Sequence, residues 1–299
     1  MVIYIAGYGR SGSTILSIIL GAHPEIASVG EIAFAHEDWF DPNRACSCLR
    51  PYPECEFWSD FLPLAHPQAT RSARLTERVL ALPLLWLGLL PGSRRSAYQA
   101  FQANLLAGIR RKTAKPIIVD ASKSARLTAA RPLALARLLD EDVFVIHMVR
   151  DGRATVRSLV RTGSNWALEG RVPPLKAPVL RAVLGWVLTN LWTSTLRWAL
   201  GRDRYIRLRY EDFVAEPGAT LRRLGNFLGV NLEPVVERLQ AGETFSAEHM
   251  VGGNRVRFET QIALRPNAVA AKDTALAGRE RQLFALLGAW LNRRYGYAD

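Results

Sequence analysis

A loop rich in glycine and hydroxyl side chains lies near the start of the chain. It follows the apolar, β-branched run 2–6 and precedes the helical apolar pattern 15–20. Glycines let a backbone approach an anion closely, and the first turn of a helix offers unpaired N–H groups with a partial positive charge. Arg10 adds a full positive charge. We therefore predict a strand, an anion-binding loop and a helix, with the anion contacted by Gly9, Arg10, Ser11, Gly12, Ser13 and Thr14.

The spacing within this loop restricts the phosphate chemistry. Gly7 and Gly12 match the glycines of the nucleotide triphosphatase pattern G-x-x-x-x-G-K-[ST], but Ser13 stands where that pattern has lysine. The cation of this loop is Arg10, three residues earlier. This departure disfavours an ATP γ-phosphate held in the usual way by lysine.

A second segment joins a buried strand to cationic and hydroxyl side chains. The continuous apolar run 143–149 is typical of a strand inside a parallel sheet. It ends at Arg150, and Ser158 follows two turns into the helix predicted over 152–162. Because open α/β sheets bind ligands at the carboxyl ends of their strands, this segment is suited to a second phosphate.

With both segments, the chain resembles the sulfotransferases that use 3'-phosphoadenosine 5'-phosphosulfate (PAPS). The resemblance is closest to the Arg-type branch, which includes tyrosylprotein sulfotransferases and many bacterial enzymes. It implies that residues 9–14 hold the 5'-phosphosulfate and that Arg150 and Ser158 hold the 3'-phosphate. The product of the donor would be 3',5'-ADP (PAP).

Shorter matches extend the resemblance to further site residues. The segment Gly30-Glu31 implies that Glu31 is the catalytic base, and the strand-end sequence 120–123 implies that Lys123 lies near the transferred sulfuryl group. Tyr210, in the sequence 209–213, would lie near the nucleotide. The segment 249–257 resembles a late loop that covers the donor, here through Gly253, Asn254 and Arg257.

The implied reaction is transfer of a sulfuryl group from PAPS to a hydroxyl, or failing that to an amine. Arg10 and Lys123 would stabilise developing negative charge and Glu31 would accept the proton, so no metal is required. The acceptor could be a small molecule, a glycan, a lipid or a peptide. Two other classes stay open: a P-loop kinase using ATP, and a non-catalytic protein that binds anions or a membrane surface.

The order of apolar patterns predicts an α/β protein with a P-loop-like central parallel sheet flanked by helices. We predict one sulfotransferase domain over 1–299, with a helical acceptor-side insertion at about 34–112. Strands are predicted at 2–6, 116–120, 143–149 and 204–208, and helices at 13–22, 124–139, 152–162, 178–200, 218–228 and 275–293.

Composition and charge limit the kinds of partner that the protein could bind. The formal net charge is +12, but the cations are spread along the chain without a long basic run or interleaved aromatics, which argues against nucleic-acid binding. The first strand begins at residue 2 without a charged leader or a cleavable apolar segment, which predicts a cytoplasmic location.

The apolar stretch 80–90, flanked by arginines, is interpreted mainly as packing, with peripheral membrane contact as the alternative.

All three cysteines fall in the predicted insertion, at Cys46, Cys48 and Cys55. Three thiolates would need a fourth ligand to hold zinc, and the paired C-x-x-C spacing of zinc sites is missing. A Cys48–Cys55 disulfide is compatible with the spacing, but reducing cytosol disfavours it. We therefore predict a structural role for this segment, with metal binding as the less favoured alternative.

Overall fold

A parallel sheet forms the centre of the computed structural model, which describes residues 1–124, 128–162, 178–264 and 276–298. Within these ranges the sheet has five strands in the order β2-β3-β1-β4-β5, and every neighbouring pair is parallel. The strands are β1 Val2–Gly7, β2 Ile26–Gly30, β3 Ile117–Asp120, β4 Val143–Val149 and β5 Tyr205–Arg209. The predicted α/β class with a central parallel sheet is confirmed.

The four strands predicted from apolar runs are present, and an additional strand, β2, lies at one edge. Its sequence Ile-Ala-Ser-Val-Gly is short and contains residues of low strand propensity, so it does not stand out locally. Pairing with β3 and burial against neighbouring helices stabilise it. This edge strand brings Glu31 to the carboxyl end of the sheet, directly after Gly30.

Helices cover both faces of the sheet. The predicted helices 13–22, 152–162, 178–200 and 218–228 are confirmed within one residue at each end. The described helices are α1 Ser13–Gly21, α2 Ala35–Asp38, α3 Pro67–Thr76, α4 Leu82–Trp86, α5 Gly92–Thr113, α6 Arg131–Leu139, α7 Gly152–Thr162, α8 Pro178–Leu200, α9 Tyr210–Ala215, α10 Pro217–Leu228, α11 Glu233–Gln240, α12 Gly278–Leu287 and α13 Ala289–Arg294.

Two predicted helices differ from the structure. The helix predicted at 124–139 begins only at Arg131. Lys123 has a left-handed backbone, and the N–H groups of Lys123 and Ser124 donate to the carbonyls of β1, so the chain still follows the sheet at these residues. Residues 125–127 lie outside the described ranges. The helix predicted at 275–293 is divided into α12 and α13 at Gly288, and its first predicted residue also lies outside those ranges.

The segment between β2 and β3 is helical, as predicted for 34–112. It contains α2 to α5 and packs one face of the sheet through buried aromatic side chains, among them Trp39, Trp58 and Phe61. Within this segment Leu85 and Leu90 are buried, whereas the side chains of Trp86 and Leu87 are exposed. The packing interpretation of 80–90 therefore holds for only part of the stretch.

None of the helices in the described ranges combines the length and apolar composition needed to cross a membrane.

His147 lies inside β4 as a neutral core residue. Its Nε2 donates to Asn190 Oδ1 at 2.8 Å, and the Asn190 amide is oriented by its own bond to the Trp186 carbonyl. Its Nδ1 accepts from the Tyr205 hydroxyl at 2.5 Å. Burial, together with the positive charge of Arg207, lowers the pKa of His147 to about 3.

This histidine should make the protein sensitive to acid. In the unfolded chain His147 gains a proton below about pH 6.5, but in the folded chain it stays neutral to about pH 3. Its contribution to the free energy of unfolding is therefore complete above about pH 6.5 and decreases by up to about 1.4 kcal/mol per unit as pH falls below it. We expect urea unfolding between about pH 7 and about pH 4 to show a shallower pH dependence for His147→Gln than for the unmodified protein.

The exposed His66 provides the matched control, since His66→Gln should keep the slope of the unmodified protein. An unchanged slope in His147→Gln would contradict the assignment of a neutral, buried imidazole.

Candidate functional site

The loop between β1 and α1 is wound tightly at the carboxyl end of the sheet. Arg10 and Gly12 both have left-handed backbone conformations, with φ of 70° and 86°. A Cβ at Gly12 would overlap the ring of Tyr210, so only glycine fits at this position. Leu16 donates the first helical hydrogen bond, to Gly12, and the N–H groups before it have no acceptor within the helix. This geometry supplies N–H donors for an anion.

Arg150 lies against this loop from the end of β4. Its Nη1 donates to the Arg10 carbonyl at 3.1 Å, and its guanidinium lies 4.7 Å from the centroid of the Tyr210 ring. Its Nε is buried without a hydrogen-bond partner in the part of the chain that the structure describes. Because a buried, unsatisfied donor on a cation is costly, the position is suited to an anionic ligand.

Several positive charges meet at the loop. Burial lowers the pKa of Arg10, and the positive charges of Arg150 and Arg255 lower it further. Like charges held this close repel each other, and an anion bound between them would offset that repulsion. Arg255 was not among the residues predicted from sequence, although it lies within the segment 249–257 that was. A bound anion would relieve the repulsion.

Glu31 and Lys123 form an ion pair beside the loop. Lys123 Nζ donates to Glu31 Oε1, and both side chains are mostly buried. Lys123 has a left-handed backbone with φ of 63°, its N–H donates to Ile5, and its carbonyl accepts from the Tyr4 hydroxyl. Two of the three predicted catalytic residues, Glu31 and Lys123, are 92 positions apart in sequence and yet in direct contact.

A buried polar network fixes the end of β3, from which Lys123 extends. Asp120 accepts from Arg131 Nε at 2.6 Å and from the N–H and hydroxyl of Ser122. The Ser122 hydroxyl accepts in turn from the N–H of Ala33 at 2.9 Å, two residues beyond Glu31. Arg131 also pairs with the buried Glu77. The network therefore fixes the backbone on both sides of the Glu31–Lys123 pair.

The segment after residue 249 runs across Glu31 toward α1. Val251 donates to Val29 at 3.0 Å and accepts from the N–H of Glu31 at 2.6 Å, so the segment extends the sheet edge. Further along, the N–H of Asn254 donates to Thr14 Oγ1 at 3.2 Å. The side chain of Arg257 is buried and its Nη1 donates to the Gly253 carbonyl at 3.1 Å. The predicted covering segment thus contacts the loop through Asn254 and the predicted base through Val251.

Ser158 and His249 lie in other parts of the fold. Ser158 is half-buried in α7, about 9 Å along the helix from its first residue. His249 begins the segment 249–257, and its Nδ1 faces the thiols of Cys46 and Cys55. The three cysteines are free, and the Cys48 and Cys55 sulfurs are 3.7 Å apart. The disulfide considered from sequence is not formed in this structure.

Comparisons with known proteins agree with this architecture. The sequence profile of the sulfotransferase family matches residues 3–234. Carbohydrate sulfotransferase 2 of Mus musculus is 31% identical over 146 residues, covering 37% of this chain and 28% of that protein. The corresponding Homo sapiens protein is 30% identical over 136 residues, covering 34% and 26%. The matched region spans just over a quarter of these curated relatives.

Solved structures share the fold. The sulfotransferase domain from the Synechococcus PCC 7002 olefin synthase is 21% identical with a TM-score of 0.54, covering 100% of this chain and 95% of that one. The sulfotransferase domain from the curacin biosynthetic pathway is 19% identical with a TM-score of 0.55, covering 95% and 96%. The family match over most of the chain, on a fold shared with these domains, shows that the chain belongs to the sulfotransferase family.

Proposed function

We propose that this protein transfers a sulfuryl group from PAPS to a hydroxyl acceptor. The observation that carries the proposal is the convergence of the Glu31–Lys123 pair with the cationic loop at the carboxyl end of the sheet. A carboxylate suited to accept a proton lies beside donors suited to stabilise a leaving phosphate. The proposal covers one catalytic domain, 1–299.

The donor would be held at two anionic groups. The first-turn N–H groups of α1, Arg10 and Thr14 would bind the 5'-phosphosulfate. Arg150, whose buried Nε has no hydrogen-bond partner among the described residues, would bind the 3'-phosphate with Ser158 on α7. Tyr210 packs between Gly12 and Arg150, where it would contact the nucleotide between the two groups. PAPS supplies the sulfuryl group, and PAP is the leaving product.

The chemical step balances without an additional reactant. The bond between sulfur and the bridging oxygen of the 5'-phosphate breaks as a bond forms between sulfur and the acceptor oxygen. Glu31 accepts the proton of the acceptor hydroxyl. Lys123 stabilises charge on the bridging and sulfuryl oxygens, and Arg10 stabilises charge on the leaving phosphate. In-line placement of donor and acceptor supplies much of the remaining rate enhancement.

The acceptor would approach from the insertion at 34–112. This segment begins three residues after Glu31, and Ala33, just before it, is hydrogen-bonded to the Ser122 beside Lys123. The name of the mouse relative specifies carbohydrate, so a glycan hydroxyl is our first choice of acceptor class. Trp86 and Leu87, exposed on the same insertion, offer contact to an apolar acceptor or a membrane surface.

Nucleotide binding tests the proposal directly. The unmodified protein should bind PAP more tightly than 5'-AMP by about 1.5–3 kcal/mol, which is about 10- to 150-fold, because Arg150 would contact the 3'-phosphate. Arg150→Ala should remove most of that preference. Isothermal titration calorimetry with both nucleotides measures the difference, and the exposed Arg202→Ala is the matched control.

Equal affinity of the unmodified protein for PAP and 5'-AMP would refute the proposed donor site. Turnover of ATP with magnesium, in place of PAPS turnover, would instead favour the kinase alternative.

A further inference from the structure

Four potential metal ligands meet at the boundary between the insertion and the segment that covers Glu31. They are the sulfurs of Cys46, Cys48 and Cys55 and the Nδ1 of His249, and all four atoms lie within 4.8 Å of one another. Cys46 and Cys55 are buried, while Cys48 and His249 are half-buried. The spacing of the cysteines in the sequence showed three thiolates and no fourth ligand. The fold places His249, which is 194 residues beyond Cys55, next to them as the fourth.

The separations agree with a tetrahedral metal site. With zinc–sulfur bonds of about 2.3 Å and zinc–nitrogen bonds of about 2.05 Å, the edges of a tetrahedron are about 3.8 Å between sulfurs and about 3.5 Å between sulfur and nitrogen. The Cys48 and Cys55 sulfurs are 3.7 Å apart, and His249 Nδ1 lies 3.6 Å from the Cys46 sulfur and 3.4 Å from that of Cys55. Ligands this close surround one ion rather than a larger cluster.

We propose that Cys46, Cys48, Cys55 and His249 bind one zinc ion in a closed structural site. Three thiolates and one imidazole are a ligand set typical of structural zinc, and they leave no open position for a reacting water. The site goes beyond the proposed sulfuryl transfer and does not depend on it.

The surrounding contacts position the ligands. The His249 ring stacks on Phe57, with centroids 5.2 Å apart and an interplanar angle of 6°, and the His249 carbonyl accepts from Trp58 Nε1 at 3.1 Å. The Ser47 hydroxyl donates to the Glu248 carbonyl at 2.6 Å and accepts from the N–H of Met250 at 2.7 Å. Ligand-bearing segments from both ends of the chain are therefore hydrogen-bonded to each other on either side of His249.

The charges are also compatible with zinc. On binding, each cysteine loses its thiol proton and His249 coordinates through the Nδ1 lone pair, so that the site carries one net negative charge. The nearby lysines are each ion-paired with a carboxylate, Lys112 with Asp60 and Lys115 with Glu248, so charges of both signs surround the site. Lys112 Nζ is 5.7 Å from the centroid of the Phe57 ring that packs on His249, and Lys115 Nζ is 3.5 Å from Glu248.

The bound ion would connect the insertion to the covering segment. His249 precedes Val251 by two residues, and Val251 is hydrogen-bonded to Glu31. Zinc would therefore hold the acceptor-side insertion and the segment over the candidate base in one arrangement. We infer a positioning role for the site, since none of its ligands contacts Glu31 or Lys123 in the described structure.

Metal analysis and thiol counting test the site without any assay of activity. After purification without chelators, elemental analysis should find about one zinc ion per chain. Denaturation in chelator should then expose all three cysteines to a thiol-reactive chromophore. Three thiols without metal, even after incubation with zinc and dialysis, would overturn the proposal. A single reactive thiol would overturn it in favour of a disulfide.

Variants and cobalt identify the ligands. Cys55→Ser and His249→Ala should lose the metal, whereas His66→Ala, an exposed histidine in the same insertion, should retain it. A chelator should lower the melting temperature of the unmodified protein, and zinc should restore it. If the ligand variants fail to fold, cobalt can replace zinc in the unmodified chain. Thiolate-to-cobalt charge transfer with intense tetrahedral visible bands would support the site, and weak octahedral bands would contradict it.

Discussion

Glu31→Gln should lower turnover about 10²–10⁴-fold while nearly retaining the affinity for PAPS. Glutamine preserves the size of the side chain and an oxygen to accept from Lys123 Nζ, but it cannot take the proton of the acceptor hydroxyl. The acidic limb of the pH–rate profile should also flatten, since in the unmodified enzyme that limb would report protonation of Glu31. Steady-state kinetics with an identified acceptor across pH measure both effects.

Glu25→Gln is the matched control, because Glu25 is exposed and lies six residues before Glu31. It should keep both the rate and the pH profile of the unmodified enzyme. An active Glu31→Gln variant with an unchanged acidic limb would place the base elsewhere or show that the acceptor reacts already ionised. His249 would be a poor replacement, since its Nδ1 faces the cysteine sulfurs.

The elements predicted from sequence are those whose signals are local. The continuous apolar run of β4 and the glycine-rich turn before α1 can each be recognised from a few consecutive residues. Edge strand β2 gives a much weaker signal, because its pairing with β3 and not its own propensity stabilises it. Similarly, residues 123 and 124, ahead of α6, donate hydrogen bonds to β1, which no helical pattern can show.

In the candidate site, too, local motifs could be recognised from sequence, whereas contacts between distant residues could not. The residue types of Arg10, Glu31 and Lys123 were readable from motifs, but the ion pair between the latter two is a tertiary contact. Arg255 was missed because its effect on Arg10 is electrostatic and acts across the fold. Likewise, the fourth ligand of the cysteine cluster lies far away in sequence, so spacing alone argued against a metal.

Lys123→Ala should lower the turnover number about 10²–10³-fold and change the affinity for PAP much less, as expected for loss of a donor that meets charge developing in the transition state. Arg10→Ala should behave similarly at the leaving phosphate. Single-turnover rates at saturating PAPS, set beside calorimetric PAP affinities, separate the two quantities. Arg202→Ala again supplies an exposed control for the loss of a cation.

Because Glu31 and Lys123 are in contact, a double variant can show whether the two side chains act together or independently. Lys123→Ala removes the cation and also leaves Glu31 without its ion-pair partner, so part of the lost rate would come through Glu31. The double variant Glu31→Gln with Lys123→Ala should therefore lose less than the product of the two single losses. Strictly multiplicative losses would show that the two groups act independently. Normal turnover of both Lys123→Ala and Arg10→Ala at saturating PAPS would place the reacting atoms away from the carboxyl end of the sheet.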